Sequence, residues 1–84
     1  MTEIATLNAR RRGADGSVRT ATFGLCDDGS VTRQITSVDG VAEENKPALF
    51  RVLGEDDRRA CADAMRARLH LADVIASEGW TVTS

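Results

Sequence analysis

The sequence predicts an α+β fold in which a three-stranded antiparallel sheet, built from two hairpins, packs on one long C-terminal helix. The motif Asp-Gly-Ser-Val occurs twice, at residues 15–18 and 28–31, between segments rich in Thr, Val and Ala. An Asp-Gly pair in such a setting is typical of a β-hairpin. Apolar residues recur at helical spacing over residues 55–78. Because the chain has only 84 residues, we expect a single small domain over residues 1–84.

The three strands are predicted at about residues 3–11, 18–26 and 30–37, in a register set by their loops. Three-residue loops that end on a left-handed glycine pair Leu7 with Phe23 and Leu25 with Val31. This register gathers the apolar side chains on one face, whereas a slip by one residue would scatter them. The predicted buried face comprises Ala5, Leu7, Ala9, Ala21, Phe23, Leu25, Val31 and Ile35, and the other face is polar.

Residues 38–54 carry the weakest pattern of the chain. Asn45 could cap a short helix that has Pro47 in its first turn and turns Leu49, Phe50 and Leu53 inward. The stretch from 48 to 53 could instead form a short strand. We favour the short helix.

Residues 55–78 form the clearest predicted element, a long helix that begins with acidic residues and ends before Gly79. Trp80 is expected to fold back near Ile75, and residues 80–83 could add a short final strand. The predicted apolar stripe comprises Cys61, Ala64, Met65, Leu69, Leu71, Ala72, Ile75 and Ala76. The predicted solvent-facing side comprises Arg59, Asp63, Arg66, His70, Asp73 and Ser77.

The chain carries no pattern that indicates catalysis. It has neither phosphate-binding glycine motif, and His70 is predicted to face away from Cys61, so no nucleophile lies within its reach. Cys26 and Cys61 lack the second pair that a disulfide framework or a zinc site would need. We therefore expect a protein that is not an enzyme and has no cofactor or metal. The absence of a long apolar run and of a signal-like start predicts a cytoplasmic protein without a membrane segment.

The charge is uneven, and its acidic part supports the first functional hypothesis. Residues 27–57 hold three basic residues against eight acidic residues, a net charge of −5. Such a block could engage a basic, nucleic-acid-binding protein, which predicts a small inhibitor. In size and acidity the chain resembles phage and mobile-element anti-defence proteins such as anti-CRISPR inhibitors. The candidate partner-binding residues are Asp27, Asp28, Asp39, Glu43, Glu44, Glu55, Asp56 and Asp57.

The arginines support the alternative hypothesis, a small nucleic-acid-binding domain. In the predicted register Arg11 lies opposite Arg19, a destabilising like-charge pair that Asp15, the acidic middle block or an external anion could offset. The other interpretation is a solvated arginine cluster at the edge of the sheet. In its order of elements the chain resembles integrase-arm and certain plant DNA-binding domains, which imply a sheet face that reads bases. The candidate residues are Asn8, Arg10, Arg11, Arg12, Arg19 and Gln34. The isoelectric point of about 5.3 opposes this hypothesis.

Two further arginines fall on predicted apolar faces. Arg33 is expected opposite Phe23, where it could stack on the ring, and Arg68 inside the helical stripe. Both are expected to form salt bridges or to extend to solvent, and the alternative is a polar site at one end of the sheet–helix interface. An open sheet edge would also allow a homodimer, although the sequence does not demand one.

Overall fold

The computed structural model describes residues 2–84, which form an α+β fold with an antiparallel sheet and a long helix. The elements in chain order are β1 (Glu3–Arg12), β2 (Val18–Cys26), β3 (Ser30–Val38), β4 (Val41–Ala42), β5 (Ala48–Val52), α1 (Glu55–Ala60), α2 (Ala64–Ser77) and β6 (Thr81–Val82). The strands follow the order β4-β3-β2-β1-β6, and β5 pairs with β3 beside that path. Within the described residues the sheet thus has six strands rather than the three expected, because β4, β5 and β6 extend its edges.

The register predicted for the three long strands is confirmed. Leu7 pairs with Phe23, Leu25 with Val31, and Arg11 with Arg19. Gly16 and Gly29 have φ of 83° and 89°, the left-handed conformation that lets these loops close. One feature was not predicted, a bulge between β2 and β3 at Thr20/Ala21, where the pairing shifts by one residue.

The core lies between the inner face of the sheet and α2. Its buried members are Leu7, Ala9, Ala21, Phe23, Leu25, Val31, Leu53, Ala67, Leu71, Val74, Ile75 and Trp80. The ring of Phe23 is fully buried at the centre and meets the rings of Phe50 and Trp80 edge to face. Ala5 and Ile35, which were also predicted on this face, are partly buried against the same core.

The short helix favoured for residues 45–53 is wrong, since this stretch holds β5. Its bulge at Val31/Thr32 lets Phe50 reach Phe23, with ring centroids 5.1 Å apart. Strand β3 would otherwise leave one row of backbone groups unpaired over residues 30–33, and β5 satisfies them. The β4 hairpin was also missed, although Asp39-Gly40 is a third Asp-Gly turn, with φ of 51° and 81°.

The single helix predicted over residues 55–78 is interrupted. Helix α1 ends at Ala60, and α2 begins after Asp63, whose Oδ1 accepts a hydrogen bond of 2.8 Å from the backbone N–H of Arg66. An N-cap aspartate of this kind stabilises the start of a helix. A second helix can therefore begin at this point, although the apolar pattern of the sequence continues through it. Strand β6 follows α2, so the helix is not the last element.

The break changes which side chains of the helix are buried. Leu71 and Ile75 are buried as predicted, and Cys61 and Ala72 contact the core at its rim. Ala64, Met65, Leu69 and Ala76 are exposed instead, because Ala67 and Val74 occupy the inner face of the re-phased helix. Gly79, with φ of 88°, ends α2 as predicted, and the backbone N–H of Trp80 donates to the carbonyl of Ile75 at 3.1 Å.

Two polar side chains, Arg33 and His70, also differ from the prediction, whereas Arg68 extends to solvent as expected. Arg33 stacks on the ring of Phe50, 5.5 Å from its centroid, since Phe23 is sealed within the core. Arg68 is exposed, and its Nη1 donates to the Thr6 carbonyl on the open edge of β1. His70 is half-buried rather than solvent-facing, because α1 folds back and brings Asp57 to 3.4 Å from its Nε2.

Candidate anion-binding site

Five arginine side chains surround the end of the sheet where β1 and β2 meet their connecting loop, which we call the arginine end. Its members are Arg10, Arg11, Arg12, Arg19 and Arg33. Within residues 2–84, none of these guanidinium groups has a carboxylate partner at ion-pair distance or donates a hydrogen bond. Arginines elsewhere in the described chain, such as Arg59 and Arg66, do pair with carboxylates.

Three of these side chains line one hollow, the arginine cleft, of about 420 Å³. Its walls come from β1, β2, β3, the β1–β2 loop and the segment after α2. The lining residues are Arg11, Gly13, Ala14, Arg19, Arg33, Ile35 and Trp80. The three arginines share the inner face with the core residues of their strands, at the end of the sheet that the helix leaves uncovered. The fold therefore directs them into a concavity and not onto the flat outer face.

Trp80 lines the cleft, and most of its side chain is buried in the core. The indole is 5% exposed and packs edge to face on Phe23, with ring centroids 5.0 Å apart. Its Nε1 is buried and donates to no acceptor among the described residues. An indole N–H can only donate, and leaving it unpaired in the interior costs about 1–3 kcal/mol.

The three arginines make the cleft positively charged, and within residues 2–84 no carboxylate forms an ion pair with them. Arg11 and Arg19 are direct partners across β1 and β2, an arrangement that destabilises the pair. The nearest carboxylate, Asp15, is held in its turn by Ser17. The Ser17 hydroxyl and backbone N–H, with a smaller contribution from the charge of Arg19, lower the pKa of Asp15. Asp15 therefore stays charged at neutral pH, and its Oδ1 accepts both hydrogen bonds from Ser17.

A second hollow of about 400 Å³ adjoins the cleft and shares Arg11 with it. It is lined by Arg10, Arg11, Arg12, Val18, Gly79 and Thr81. A Cβ at Gly79 would lie 3.3 Å from the Arg11 Nε and would crowd that side chain. The glycine therefore leaves room for Arg11 beside the end of α2. Arg10 and Arg12 thus extend the positive surface outward from the cleft.

The two amides that were candidates for base reading are engaged within the fold. The Nδ2 of Asn8 donates to the Ser84 hydroxyl at 2.8 Å, and its Oδ1 accepts from Thr22. The Nε2 of Gln34 donates to the Asn45 carbonyl at 2.7 Å. Both side chains tie chain segments to the outer face of the sheet, so this face offers an incoming base few free groups.

The eight acidic candidates divide between two regions and do not form one surface. Asp27, Asp28, Glu55, Asp56 and Asp57 lie together at what we call the acidic end, where Arg58 Nη1 donates to the Asp28 carbonyl at 3.2 Å. Asp39, Glu43 and Glu44 lie beyond the other end of β3. The nine residues of that strand separate Asp28 from Asp39 by about 30 Å.

Most of the acidic side chains already have partners. Ser30 donates to Asp28 through both its hydroxyl and its backbone N–H, which lowers the pKa of Asp28. Asp39 accepts from the Val18 backbone N–H, and Asp27 from that of Thr2. Glu55 and Asp56 pair with Arg59, and Asp57 with His70. Glu43 and Glu44 have no such partner within residues 2–84.

Asp57 also brings the histidine near a cysteine, a proximity that the sequence did not predict. The Cys61 thiol donates to the Asp57 backbone carbonyl at 3.3 Å, while His70 faces the Asp57 carboxylate. Burial, with a smaller effect of the Asp57 charge, raises the pKa of the Cys61 thiol. A nucleophilic cysteine requires the opposite shift, so this arrangement does not activate the sulfur.

The described part of the chain holds neither a metal-ligand cluster nor a membrane-spanning helix. No group of three or more His, Cys, Asp or Glu side chains is arranged to hold a metal ion. No helix between residues 2 and 84 is both long and apolar enough to cross a membrane.

Comparisons with protein-family models, with curated proteins and with solved structures found no match to this chain.

Sequence reasoning placed Arg11 opposite Arg19 but left Arg33 and Trp80 out of the candidate site. The predicted register already put Arg33 on the same face as Arg11 and Arg19, so strand parity could have grouped all three. The sequence also placed Trp80 near Ile75, but it did not show that Trp80 lines the same hollow as the arginines.

Proposed function

We propose that this protein is a non-enzymatic binding protein that holds nucleic acid by its phosphates through the arginine end. The supporting observation is the contrast between the two charge types. Within residues 2–84 the five arginines of this end have no ion-pair or hydrogen-bond partner, whereas three of the eight acidic candidates form ion pairs and three more accept hydrogen bonds from neutral donors. Guanidinium groups are suited to phosphate because they are planar, always charged and able to donate two parallel hydrogen bonds.

The overall acidity of the chain does not oppose a local phosphate contact. The formal charge is only −2, and five of its negative residues lie at the acidic end, across the length of the sheet. Asp39, Glu43 and Glu44 lie at the same end of the sheet as Arg19, together with Asp15, and the five arginines outnumber these four carboxylates. Charges separated by more than the Debye length of about 8 Å at physiological salt are largely screened from each other. The arginine end therefore presents its own positive potential to a polyanion.

The test is fluorescence anisotropy with labelled duplex DNA and labelled single-stranded RNA at low ionic strength. We expect salt-sensitive binding that weakens at least tenfold when Arg11, Arg19 and Arg33 are all changed to Gln. The slope of log K against log salt should fall by about 2, since each lost phosphate contact removes about 0.7–0.9. The matched control changes Arg59 and Arg66 to Gln, which are ion-paired on the helices, and should keep both affinity and slope.

Either of two results would reject the proposal. One is the absence of binding to both nucleic acids at low ionic strength. The other is equal loss of binding in the cleft variant and the helix control, which would indicate a general charge effect without a site.

The second candidate function is capture of a basic protein through the acidic end, of the anti-defence inhibitor kind that the size and acidity of the chain resemble. The observation that favours it is the convergence of Asp27, Asp28 and α1 at one end. Reversal of Asp27 and Asp56 to Lys should abolish capture of such a partner, while reversal of Glu43 and Glu44 should not. Equal effects of the two pairs would contradict a site at the acidic end.

A further inference from the structure

We infer that the arginine cleft binds a phosphate monoester, the doubly charged terminal phosphate of a nucleic acid strand, in preference to the phosphodiesters along the strand. This inference rests on the proposed function and names the group that the cleft selects. Three observations carry it: the shape of the cleft, its charge, and the positions of the three aromatic rings.

The shape of the cleft suits the end of a strand. Its lining comes from three strands, from the β1–β2 loop at Gly13 and Ala14, and from Trp80 after α2. A volume of about 420 Å³ is in the range of small-ligand sites, which bury most of the ligand. Proteins that hold the middle of a strand use a groove that follows the backbone. The surface that continues outward, with Arg10 and Arg12, can contact the next phosphates of the same strand.

The charge of the cleft suits a monoester. Arg11, Arg19 and Arg33 line one hollow, and within residues 2–84 none of their guanidinium groups has a carboxylate at ion-pair distance. A phosphate monoester carries a charge of about −1.5 to −2 at neutral pH and three acceptor oxygens. A diester carries a single charge on two free oxygens. The monoester therefore offsets more of the Arg11–Arg19 repulsion than a diester does.

The aromatic rings exclude recognition by base stacking. The chain has three aromatic side chains, and Phe23 and Trp80 are buried against each other. Phe50 is half-buried, with Arg33 over its ring. Single-strand binders that accept any sequence rely on exposed rings for stacking. Because no ring face is free here, the phosphate and not the base supplies the contact.

The experiment compares two labelled single-stranded oligonucleotides of one sequence, with a 5′-phosphate or a 5′-hydroxyl and the dye at the 3′ end. We expect the 5′-phosphorylated strand to bind about tenfold more tightly or better, the effect of one or two charge-assisted hydrogen bonds. Changing Arg19 and Arg33 together to Gln should bring this ratio to about one. The control Arg12→Gln, outside the cleft, should weaken both strands equally and keep the ratio. Circular dichroism confirms that each variant is folded.

Competition with unlabelled ligands separates the sources of the monoester. A nucleoside 5′-monophosphate that displaces the phosphorylated strand as well as its own unlabelled copy supports the monoester site and assigns it to free nucleotides. Displacement only by the strand supports recognition of a strand end. Equal binding of the 5′-phosphate and 5′-hydroxyl strands, lost in the cleft variant, overturns the inference and leaves the proposed function standing. Failure of both strands and of the mononucleotide to bind overturns both.

Discussion

Phe23 lies at the centre of the core and packs against Trp80, which lines the arginine cleft. The substitution Phe23→Leu tests how much this packing contributes to stability and to phosphate binding. The ring meets those of Phe50 and Trp80 at 5.1 and 5.0 Å, each at an interplanar angle of 76°. An edge-to-face pair contributes about 0.5–1.5 kcal/mol beyond its buried area. Leucine keeps much of the apolar area but neither pair, so we expect a loss of about 1–3 kcal/mol. A chain of this length has a total stability of about 4–13 kcal/mol, so the variant should still fold.

The loss is measured by urea unfolding, followed by far-ultraviolet circular dichroism and by the fluorescence of Trp80, the only tryptophan of the chain. The two signals should change at the same urea concentration if unfolding is two-state. The variant should also bind the 5′-phosphorylated strand less tightly, because Trp80 loses its support and the cleft wall loosens.

Thr22→Val is the matched control, since Thr22 is the neighbouring residue of β2 and points to the other face. It removes one hydrogen bond, to Asn8, and should cost less than about 1 kcal/mol. The reasoning is refuted if Phe23→Leu unfolds at the same urea concentration as the wild type. It is equally refuted if Thr22→Val costs as much as Phe23→Leu, since the two faces of the sheet would then be equivalent.

Two further predictions concern a turn and a carboxylate. Gly79→Ala should lower stability by about 1 kcal/mol, because φ is 88°, and should also weaken phosphate binding by displacing Arg11. Thermal unfolding and anisotropy measure the two effects. Gly40 also has a positive φ, 81°, but has open space around it, so Gly40→Ala should lower stability without weakening phosphate binding. If Gly40→Ala weakened phosphate binding as much as Gly79→Ala does, the role of Gly79 beside Arg11 would be contradicted. Asp28 has a pKa below its usual 3.8, so the stability it contributes is present above that pH and is lost as pH falls through the folded-state pKa. Asp28→Asn should therefore reduce the fall in melting temperature between pH 5 and pH 3, and an unchanged fall would contradict this account.

The sheet was the most predictable part of the fold because its information is local. Each loop places an Asp-Gly-Ser sequence where the aspartate bonds to the serine two residues later and the glycine takes a positive φ. The loop length then sets the register, and only that register buries the apolar side chains together. The third turn, Asp39-Gly40, carries the same signal but joins a strand of only two residues, too short to show an alternating pattern.

The sequence offered edge strand β6 as a possible short strand over residues 80–83, whereas β5 could not be decided from the sequence because its state depends on distant partners. Residues 48–52 have apolar side chains that fit either a short helix or a strand, and the unpaired edge of β3 selects the strand. The apolar pattern around residues 61–63 fits one continuous helix, but in the structure Asp63 caps a second helix and the first one ends before it. The result exposes Met65 and Leu69, which a single helical wheel had placed inside.

The candidate site shows the same division. The sequence placed Arg11 against Arg19, because strand pairing is local, but it left open what offsets the two charges. It could not show that α2 leaves that end of the sheet uncovered, or that Trp80 closes the hollow beside it. It also could not show that the acidic block divides between the two ends of β3.

The sequence by itself therefore determined the turns, the register of the three long strands and the face that is buried. These follow from the conformations of single residues and from the twofold period of a strand. Only the tertiary structure decided which charges lie together, because strands bring distant residues side by side and separate neighbours in the chain. Strand parity places Arg11, Arg19 and Arg33 on one face, but only the folded chain brings them together with the segment after α2 around one cleft.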